Sequence, residues 1–454
     1  KTVGQPCQSL GPTGCAGCLA FPPGKQQEAA PIMPHYWDFL LPTRIHFGRG
    51  ELRRLGPLAA ELGKSALLVG YANLAGMEEA YARAERSLEK SGLHTTVFYE
   101  ILPDPPAPLV ERGARLAAQS GVDLVVGLGG GSAIDAAKGI AALVRMGGRL
   151  WDYTGGNPDS KPITAALPIV AVPTTAGTGA EVTDVAVFTH EGIGSLEGVA
   201  VKASASGPAI RPSLALVDPD LAAGCPPPLT AACGADALGH AIESCLSRRA
   251  NPIASTLAGQ AVGLIVAHLA EAVADPSASE PREPLALAAT LAGAAFGSAG
   301  VVVPHAIAQA LGGVLGVPHG VGVALGTRLG LRFNHDVCTA EYAELARFCD
   351  LPHGSNAEMA DRFVHTIDDL LQRIGLPSRI SRAGVPPDAI EILVRNAYDS
   401  TPAPITLNPR KVLEGDLRDF FAAILDDDGC SDSADHVGDP SLVSLDASHL
   451  RVPK

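Results

Sequence analysis

The first half of the chain alternates continuous apolar segments with segments of helical period. Strand candidates lie at residues 65–70, 95–99, 122–127, 167–172 and 214–217. Helical patterns lie at residues 77–91, at 109–119, and from a glycine-rich turn to about residue 145. Strands that are apolar on both faces must be covered on both sides, and the helices between them supply that cover. The pattern therefore predicts a parallel sheet with flanking helices.

The pattern changes beyond Pro226. Strand signals give way to Ala- and Leu-rich helical patterns, which continue to about residue 425. We therefore expect an α/β domain over residues 37–225 and an all-helical domain over residues 226–425. Residues 1–36 lack periodicity and residues 426–454 are polar and open with three aspartates, so we predict a disordered leader and a disordered acidic tail.

Charge, cysteines and hydropathy limit the partners. The formal net charge of −14 repels a polyanion, so nucleic acid is not an expected partner. Nine cysteines without regular spacing do not resemble a disulfide framework, which indicates a reducing, cytoplasmic location; the Cys15 and Cys18 pair is a weak metal or redox signal. The uncharged run at 285–304 contains glycines and Pro304, so it predicts a buried helix and a turn, with no membrane partner.

A glycine-rich turn directly follows the strand candidate at 122–127. Gly129, Gly130 and Gly131 allow close approach of a ligand to the backbone, and the N–H groups that open the next helix suit a pyrophosphate. Ser132 is placed to cap this helix and to donate to phosphate. A tight strand-to-helix turn also favours glycine, and the spacing is not the usual GxGxxG. Phosphate binding and a purely structural turn therefore both remain open.

A second loop, residues 173–183 with the sequence PTTAGTGAEVT, follows the next strand candidate. Its hydroxyl and amide groups are donors that a ligand can use. Composition alone does not separate a ligand-binding loop from a solvated turn.

Four candidate metal ligands lie in the second half. Asp236 and His240 are four residues apart in the helical segment GADALGHAIES, which places both side chains on one face. His305 and His319 follow in VVPHAIAQALGG and VPHG. One carboxylate and three imidazoles suit Fe²⁺, Zn²⁺ or Mn²⁺, with an open position for a substrate oxygen. Any one of these histidines taken alone fits a satisfied core residue better.

From about Tyr36 to Leu425 the chain resembles the iron-containing (group III) alcohol dehydrogenase family. The stretches that carry the resemblance, in family order, are FLLPTRIHFGRG, GLGGGSAIDAAKGIA, PTTAGTGAEVT, SLALVDPDL, GADALGHAIES, LAGAAFGSAG, HAIAQALGG and VPHG. The resemblance implies a dinucleotide-binding N-terminal domain, a helical metal-binding C-terminal domain, and an active site between them. It implies an oxidoreductase that passes hydride between NAD or NADP and a small alcohol, aldehyde or ketone.

The resemblance also assigns individual residues. The family's metal ligands, with Fe²⁺ favoured, fall on Asp236, His240, His305 and His319. Its cofactor positions fall on Gly129, Gly130, Gly131, Ser132, Thr174, Thr175, Thr178, Thr183 and Lys202. Asp135 and Lys138 match motif positions to which we assign no role, and Phe296 is expected in the substrate pocket wall.

Two positions depart from the family pattern. Gln309 stands where members commonly carry a histidine, four residues after the third ligand. Glutamine cannot exchange a proton near neutral pH, so a relay there is in doubt, and we expect Gln309 to orient substrate or nicotinamide by hydrogen bonding. Tyr71, Ala72 and Asn73 stand where NAD-preferring members carry an acidic residue, so NADP(H) is at least tolerated. We count Tyr71 among the cofactor-binding residues.

Other functions remain open at this point. A dehydroquinate-synthase-like lyase on the same scaffold needs basic residues around a substrate phosphate, and the ligand segments are nearly free of Lys and Arg. A hydroxyacid–oxoacid transhydrogenase passes hydride through a tightly bound cofactor. A non-catalytic binding protein agrees less well with a full ligand set. We expect a small alcohol or carbonyl compound as the partner, and a homo-oligomer.

Overall fold

The computed structural model describes residues 36–72, 76–190, 200–382 and 385–426. The predictions for the leader, for Asn73, and for the tail after Asp426 fall outside these ranges. Within them, a parallel sheet with flanking helices occupies the first half and helices dominate the second. The predicted fold class is therefore confirmed.

Eight strands lie in the described part of the first half of the chain. They are β1 (Arg44–Phe47), β2 (Ser65–Tyr71), β3 (His94–Ile101), β4 (Leu124–Gly129), β5 (Ile169–Pro173), β6 (Val185–His190), β7 (Val201–Ser206) and β8 (Leu214–Val217). Six of them form one parallel sheet in the order β1–β8–β5–β4–β2–β3, and β6 and β7 pair as an antiparallel hairpin. The sequence patterns predicted five of these strands and missed β1, β6 and β7, in which polar residues interrupt or end the apolar run.

Helices cover both faces of the sheet. The helices of this half are α1 (Leu55–Ala59), α2 (Glu78–Lys90), α3 (Ala107–Gln119) and α4 (Gly131–Met146). Along β2, Leu67 and Val69 pack with α3 and α4 on one face, while Ala66 and Leu68 pack with α1 and α2 on the other. Both faces of the strand are thus buried, which is why its sequence is continuously apolar.

The direction of winding reverses at β2. This strand pairs with β3 on one side and with β4 on the other, so the chain moves outward once and then returns past its starting point. In open α/β sheets, ligands bind at the carboxyl ends of strands where such a reversal occurs. Here those ends are Tyr71 of β2 and Gly129 of β4, and the glycine-rich turn follows the latter directly.

The second half is built from helices that share one large apolar core. They are α5 (Pro227–Leu246), α6 (Pro252–Ala274), α7 (Arg282–Ala299), α8 (Val303–Leu315), α9 (His319–Asn334), α10 (Thr339–Phe348), α11 (Asn356–Arg373), α12 (Ala389–Ser400), α13 (Pro402–Leu407) and α14 (Glu414–Ile424). Two short strands, β9 (Ile380–Ser381) and β10 (Leu425–Asp426), pair in parallel. This half is therefore not entirely helical, and strands of two residues leave no detectable sequence pattern.

The apolar run at 285–304 forms most of α7 and the start of α8, with a break at Gly300. This is the buried helix and turn that the sequence predicted. In the described ranges, α6 is long and apolar enough to cross a membrane, and α7 with α8 meets that criterion only as a pair bent by 103°. A core helix of a soluble protein meets the same criterion, so this is weak evidence for a span.

The threonine-rich loop at 173–183 belongs to the first half and packs against α7 of the second half. A Cβ atom placed on Gly179 would lie 2.4 Å from the Cα atom of Gly293 in α7, so the two backbones touch. The Thr290 hydroxyl donates to Glu181 Oε1 at 2.8 Å, and both residues are buried. The domain boundary predicted after residue 225 lies between β8 and α5, and the loop packs across it.

Candidate active site

Asp236, His305 and His319 converge on one point in the helical half. They lie on α5, in the first turn of α8, and at the first position of α9. Asp236 Oδ1 is 3.5 Å from His305 Nε2 and 3.4 Å from His319 Nε2, and the three ligand atoms all lie within 4.8 Å of one another. Two ligands of one tetrahedral ion, each at about 2.1 Å, are about 3.4 Å apart. The spacing therefore fits a single divalent cation.

His240 lies at the edge of this group. Its Nδ1 atom is 3.7 Å from Asp236 Oδ1, and its ring centroid is 4.4 Å from that of His305. It is not among the three residues whose atoms meet the 4.8 Å spacing. The Phe296 ring stacks on His240 with centroids 4.2 Å apart and an interplanar angle of 13°. Phe296, which we predicted in the wall of the substrate pocket, thus packs against His240, which we predicted as a metal ligand.

Three atoms of this cluster are buried without a partner. Asp236 Oδ1, His240 Nδ1 and His305 Nε2 have no hydrogen bond within the described ranges. A buried polar group left unpaired costs roughly 1–3 kcal/mol, so three together at one point indicate a ligand that the chain does not supply. A carboxylate oxygen and imidazole nitrogens are donors that divalent iron, zinc and manganese accept. The residues therefore fit a metal ion.

The charges in the cluster also suit metal binding. Burial opposes ionisation of Asp236, but His240 and His319 hold its pKa well below the usual value. Burial lowers the pKa of His240 to about 3. Burial also lowers the pKa of His305, but Glu243 and Asp236 raise it to about 10. A cation at Nε2 of His305 would thus take the place of a proton.

Glu243 is a site residue that the sequence prediction missed. Its Oε1 atom is 2.6 Å from His305 Nδ1, and its Oε2 atom accepts from the backbone N–H of Val302 at 2.7 Å. A carboxylate on the second ring nitrogen fixes the orientation and tautomer of a metal-binding histidine. The signal was present in GADALGHAIES, where Glu243 lies seven residues after Asp236 and three after His240.

The glycine-rich turn and the threonine-rich loop meet at the strand ends. A Cβ atom on Gly131 would lie 2.6 Å from Thr178 Cγ2, and one on Gly130 would lie 3.3 Å from Thr175 Oγ1. The backbone N–H of Thr174 donates to Gly129 O at 2.9 Å. Two loops that were predicted separately thus form one narrow cradle at the start of α4.

Ser132 does not cap α4 as the sequence suggested. The helix begins at Gly131, and its N-cap residue is Gly130, which has no side chain with which to cap it. Ser132 therefore lies inside the first turn, where its hydroxyl oxygen accepts from the backbone N–H of Asp104 at 3.1 Å.

Asp135 and Lys138 support the cradle by holding α4, the helix that follows the glycine-rich turn, against β6. The fully buried Lys138 Nζ donates to Val185 O at 2.6 Å and to Thr183 Oγ1 at 3.2 Å. Asp135 Oδ2 accepts from Val187 N at 3.0 Å. The two residues fasten α4 to β6, and Thr183 is engaged by Lys138.

Lys202 pairs with a second residue that the sequence prediction missed. Its buried Nζ atom is 2.7 Å from Asp104 Oδ2, and a Cβ atom on Gly312 of α8 would lie 2.8 Å from it. Asp104 has a φ of 51°, which is uncommon for a residue with a side chain.

Gln309, one turn after His305, is buried with its Oε1 atom unpaired among the described residues. Gln309 and the Lys202 contact at Gly312 thus both lie on α8, the helix that carries His305.

Comparisons with known proteins agree with this arrangement. Residues 42–219 match the family model for iron-containing alcohol dehydrogenase, and residues 230–425 match that for the C-terminal region of the Fe-containing alcohol dehydrogenase family. The NAD-dependent methanol dehydrogenase of Bacillus methanolicus is 34% identical over 367 residues, which are 80% of this chain and 93% of that protein. The 1,3-propanediol dehydrogenase of Citrobacter freundii is 34% identical, over 85% of this chain and 98% of that protein.

A solved structure extends the agreement to the fold. An archaeal halo-thermophilic Red Sea brine pool alcohol dehydrogenase superposes with a TM-score of 0.80 at 30% identity, covering 86% of this chain and 99% of that one. Members of this family bind NAD(H) and a divalent metal ion. The matches cover both halves, the cradle and the cluster. The chain therefore belongs to the iron-containing alcohol dehydrogenase family and is a metal-dependent oxidoreductase.

Proposed function

We propose that this enzyme transfers hydride between a nicotinamide dinucleotide and a short, uncharged alcohol or the corresponding aldehyde or ketone. The observation that carries the proposal is the convergence of Asp236, His305 and His319 on one point. Relatives that are named for methanol and for 1,3-propanediol support a short alcohol. Family membership also favours a dehydrogenase over a lyase on this scaffold.

The metal site is proposed to consist of Asp236, His240, His305 and His319. Fe²⁺ is the expected ion, and Zn²⁺ or Mn²⁺ would also suit this donor set. The metal supplies Lewis acidity to a substrate oxygen, and the nicotinamide supplies the redox chemistry. Asp236 reduces the positive charge of the site, and Glu243 holds the His305 ring in place through Nδ1. Phe296 covers one face of His240 and keeps water from it.

Gln309 is proposed to orient the substrate or the nicotinamide. Its Oε1 atom is an acceptor without a partner among the described residues, so it is available to a hydroxyl or carboxamide N–H group. It does not release a proton near neutral pH, so the proton of the alcohol leaves by another route. The pH dependence of turnover should then lack the titration that an imidazole at this position would contribute.

The cofactor is proposed to bind in the cradle. Backbone N–H groups at Gly130, Gly131 and Ser132 would hold the pyrophosphate at the positive end of α4. Hydroxyls of Thr175 and Thr178 border the same space, and Lys202 would lie toward the nicotinamide end. No carboxylate stands at Tyr71 or Ala72 to repel a 2′-phosphate, so we expect NADP(H) to be accepted alongside NAD(H).

A cofactor-absorbance assay tests these proposals together. Protein stripped of metal and reloaded with Fe²⁺, Zn²⁺ or Mn²⁺ is assayed at about 340 nm with short alcohols and aldehydes, using NAD(H) and NADP(H). We expect turnover that requires metal and free cofactor. Turnover that is indifferent to metal would contradict the proposed site. Hydroxyacid-to-oxoacid exchange without added cofactor would indicate the transhydrogenase. The homo-oligomer and the cytoplasmic location stay predictions.

A further inference from the structure

We propose that Tyr71 gates the cofactor cradle, with its side chain occupying the start of α4 until a dinucleotide displaces it. The inference rests on the proposed cofactor site. It assigns to Tyr71 a role opposite to that of a simple contact residue, because its hydroxyl competes with the ligand.

The position of Tyr71 in the sheet directs its side chain to the cradle. It is the last residue of β2, at a shift in the register between β2 and β3. Its backbone N–H donates to the Tyr81 hydroxyl at 3.1 Å, and that hydroxyl donates to Leu128 O in β4 at 3.0 Å. The backbone is thereby held at the point where the winding reverses, beside the end of β4.

The Tyr71 ring fills the space that the glycines leave open. A Cβ atom on Gly129 would lie 2.8 Å from Tyr71 Cε2, and one on Gly130 would lie 3.2 Å from the Tyr71 hydroxyl. Burial raises the pKa of this hydroxyl, and the polar groups of Ser132 and Ala133 at the start of α4 oppose that rise. The phenol therefore lies along the turn and reaches the groups that open α4.

These are the groups that a pyrophosphate uses. The amide donors at the start of a helix bind phosphate oxygens, and glycine is required there so that the ligand can approach closely. Because the Tyr71 ring takes the same space, the closed cradle cannot hold a dinucleotide. When only a fraction of the molecules is open, the apparent dissociation constant rises by the inverse of that fraction.

The test compares NADH binding by metal-loaded wild-type enzyme, Tyr71→Phe and Tyr71→Leu. Tyr99→Phe is the matched control, because Tyr99 lies on neighbouring β3 and its hydroxyl donates to Glu85. Kd is measured by quenching of protein fluorescence, and the association rate by stopped flow. We expect Tyr71→Phe to lower Kd about fivefold through faster association, because the ring without its hydroxyl loses a polar contact worth about 1 kcal/mol with the groups that open α4. We expect Tyr71→Leu to lower Kd at least as far and the control to match wild type.

The outcomes separate the gate from the cofactor site itself. If both Tyr71 variants bind NADH as wild type does, or more weakly, the gate is wrong and Tyr71 is inert or a contact residue. If wild-type enzyme binds neither NADH nor NADPH with any of the three metals, the proposed cofactor site fails instead. A melting curve for each variant shows whether its binding was measured on folded protein.

Discussion

The cofactor cradle and the metal cluster are neighbours, but they are made in different ways. The cradle is backbone: Gly129, Gly130 and Gly131 at the end of one strand, closed by a loop from the next. The cluster is side chain: proposed ligands from three helices whose atoms approach one point, with Asp236 and His305 buried and His319 partly exposed. The cradle is therefore sensitive to atoms that are added, and the cluster to atoms that are removed.

The two regions also differ in whether their supporting residues contact the binding groups directly. In the cradle, Lys138 and Asp135 fasten α4 to β6, and the proposed binding groups are main-chain amides. In the cluster, Glu243 acts on a ligand directly through His305 Nδ1. If this contrast is correct, changes in one region should alter one binding constant and leave the other unchanged.

Removal of a cluster ligand should give the largest effect. Asp236→Ala should abolish metal retention and lower kcat/KM by about 10³-fold or more, because Lewis-acid assistance is worth several kcal/mol. The NADH dissociation constant should change less than about twofold, since the cradle does not use this carboxylate. Metal analysis, steady-state kinetics and fluorescence titration provide the three readouts. His365→Ala, at an exposed position on α11, is the control. If Asp236→Ala lost NADH binding as completely as it lost metal, the cradle and the cluster would not bind independently.

The supporting carboxylate should give an intermediate effect. Glu243→Gln keeps an oxygen near His305 but removes the charge, and loss of such a partner weakens metal affinity by about 10- to 100-fold. Competition with a chelator measures this affinity. Glu271→Gln, on the exposed side of α6, should behave as wild type. A Glu243→Gln enzyme with unchanged metal affinity would show that the His305 contact is merely structural.

Addition of one carbon to the cradle should affect the cofactor alone. In Gly129→Ala the new Cβ atom lies 2.7 Å from Ala133 Cβ, and φ is 152°, which favours glycine. The same atom lies 2.8 Å from Tyr71 Cε2 and so also disfavours the closed cradle. It narrows the turn in the open cradle as well, and overpacking of about 1–3 kcal/mol there should raise the NADH Kd by about tenfold. Metal content should stay at the wild-type level. Gly415→Ala, where no atom of the described residues lies within 4 Å of the new atom, is the control. Loss of metal from Gly129→Ala would mean that the two regions are not separable.

The contact between the halves should give the smallest effect. A Cβ atom on Gly293 would lie 2.7 Å from Gly179 Cα, so Gly293→Ala forces the loop and α7 apart. We expect a loss of about 1–3 kcal/mol in the free energy of unfolding, seen as a Tm lower by a few degrees. Calorimetry of this variant and of Gly415→Ala provides the comparison. A single shifted transition would indicate that the halves unfold together, and an unchanged Tm would show that the contact yields easily.

Much of the cradle was predictable from sequence, because its determinants are local. The strand and the glycine turn are contiguous, and a strand that is apolar on both faces identifies a covered parallel sheet. The hairpin of β6 and β7 was missed, because β6 alternates buried and half-buried residues and the apolar residues of β7 are interrupted by Lys202 and Ser204. Asp104 was missed as well, since its contact with Lys202 joins residues far apart in the chain.

The sequence by itself determined the chemistry available to each region: a backbone free of side chains at one strand end, and imidazoles and a carboxylate on apolar helices. Helical spacing alone placed Asp236 and His240 on one face. Only the tertiary structure decided that His305 and His319 come to the same point, that Glu243 supports one of them, and that Tyr71 lies across the glycine turn. Distances between remote segments depend on how helices and strands pack, and side-chain period within one segment carries no information about them.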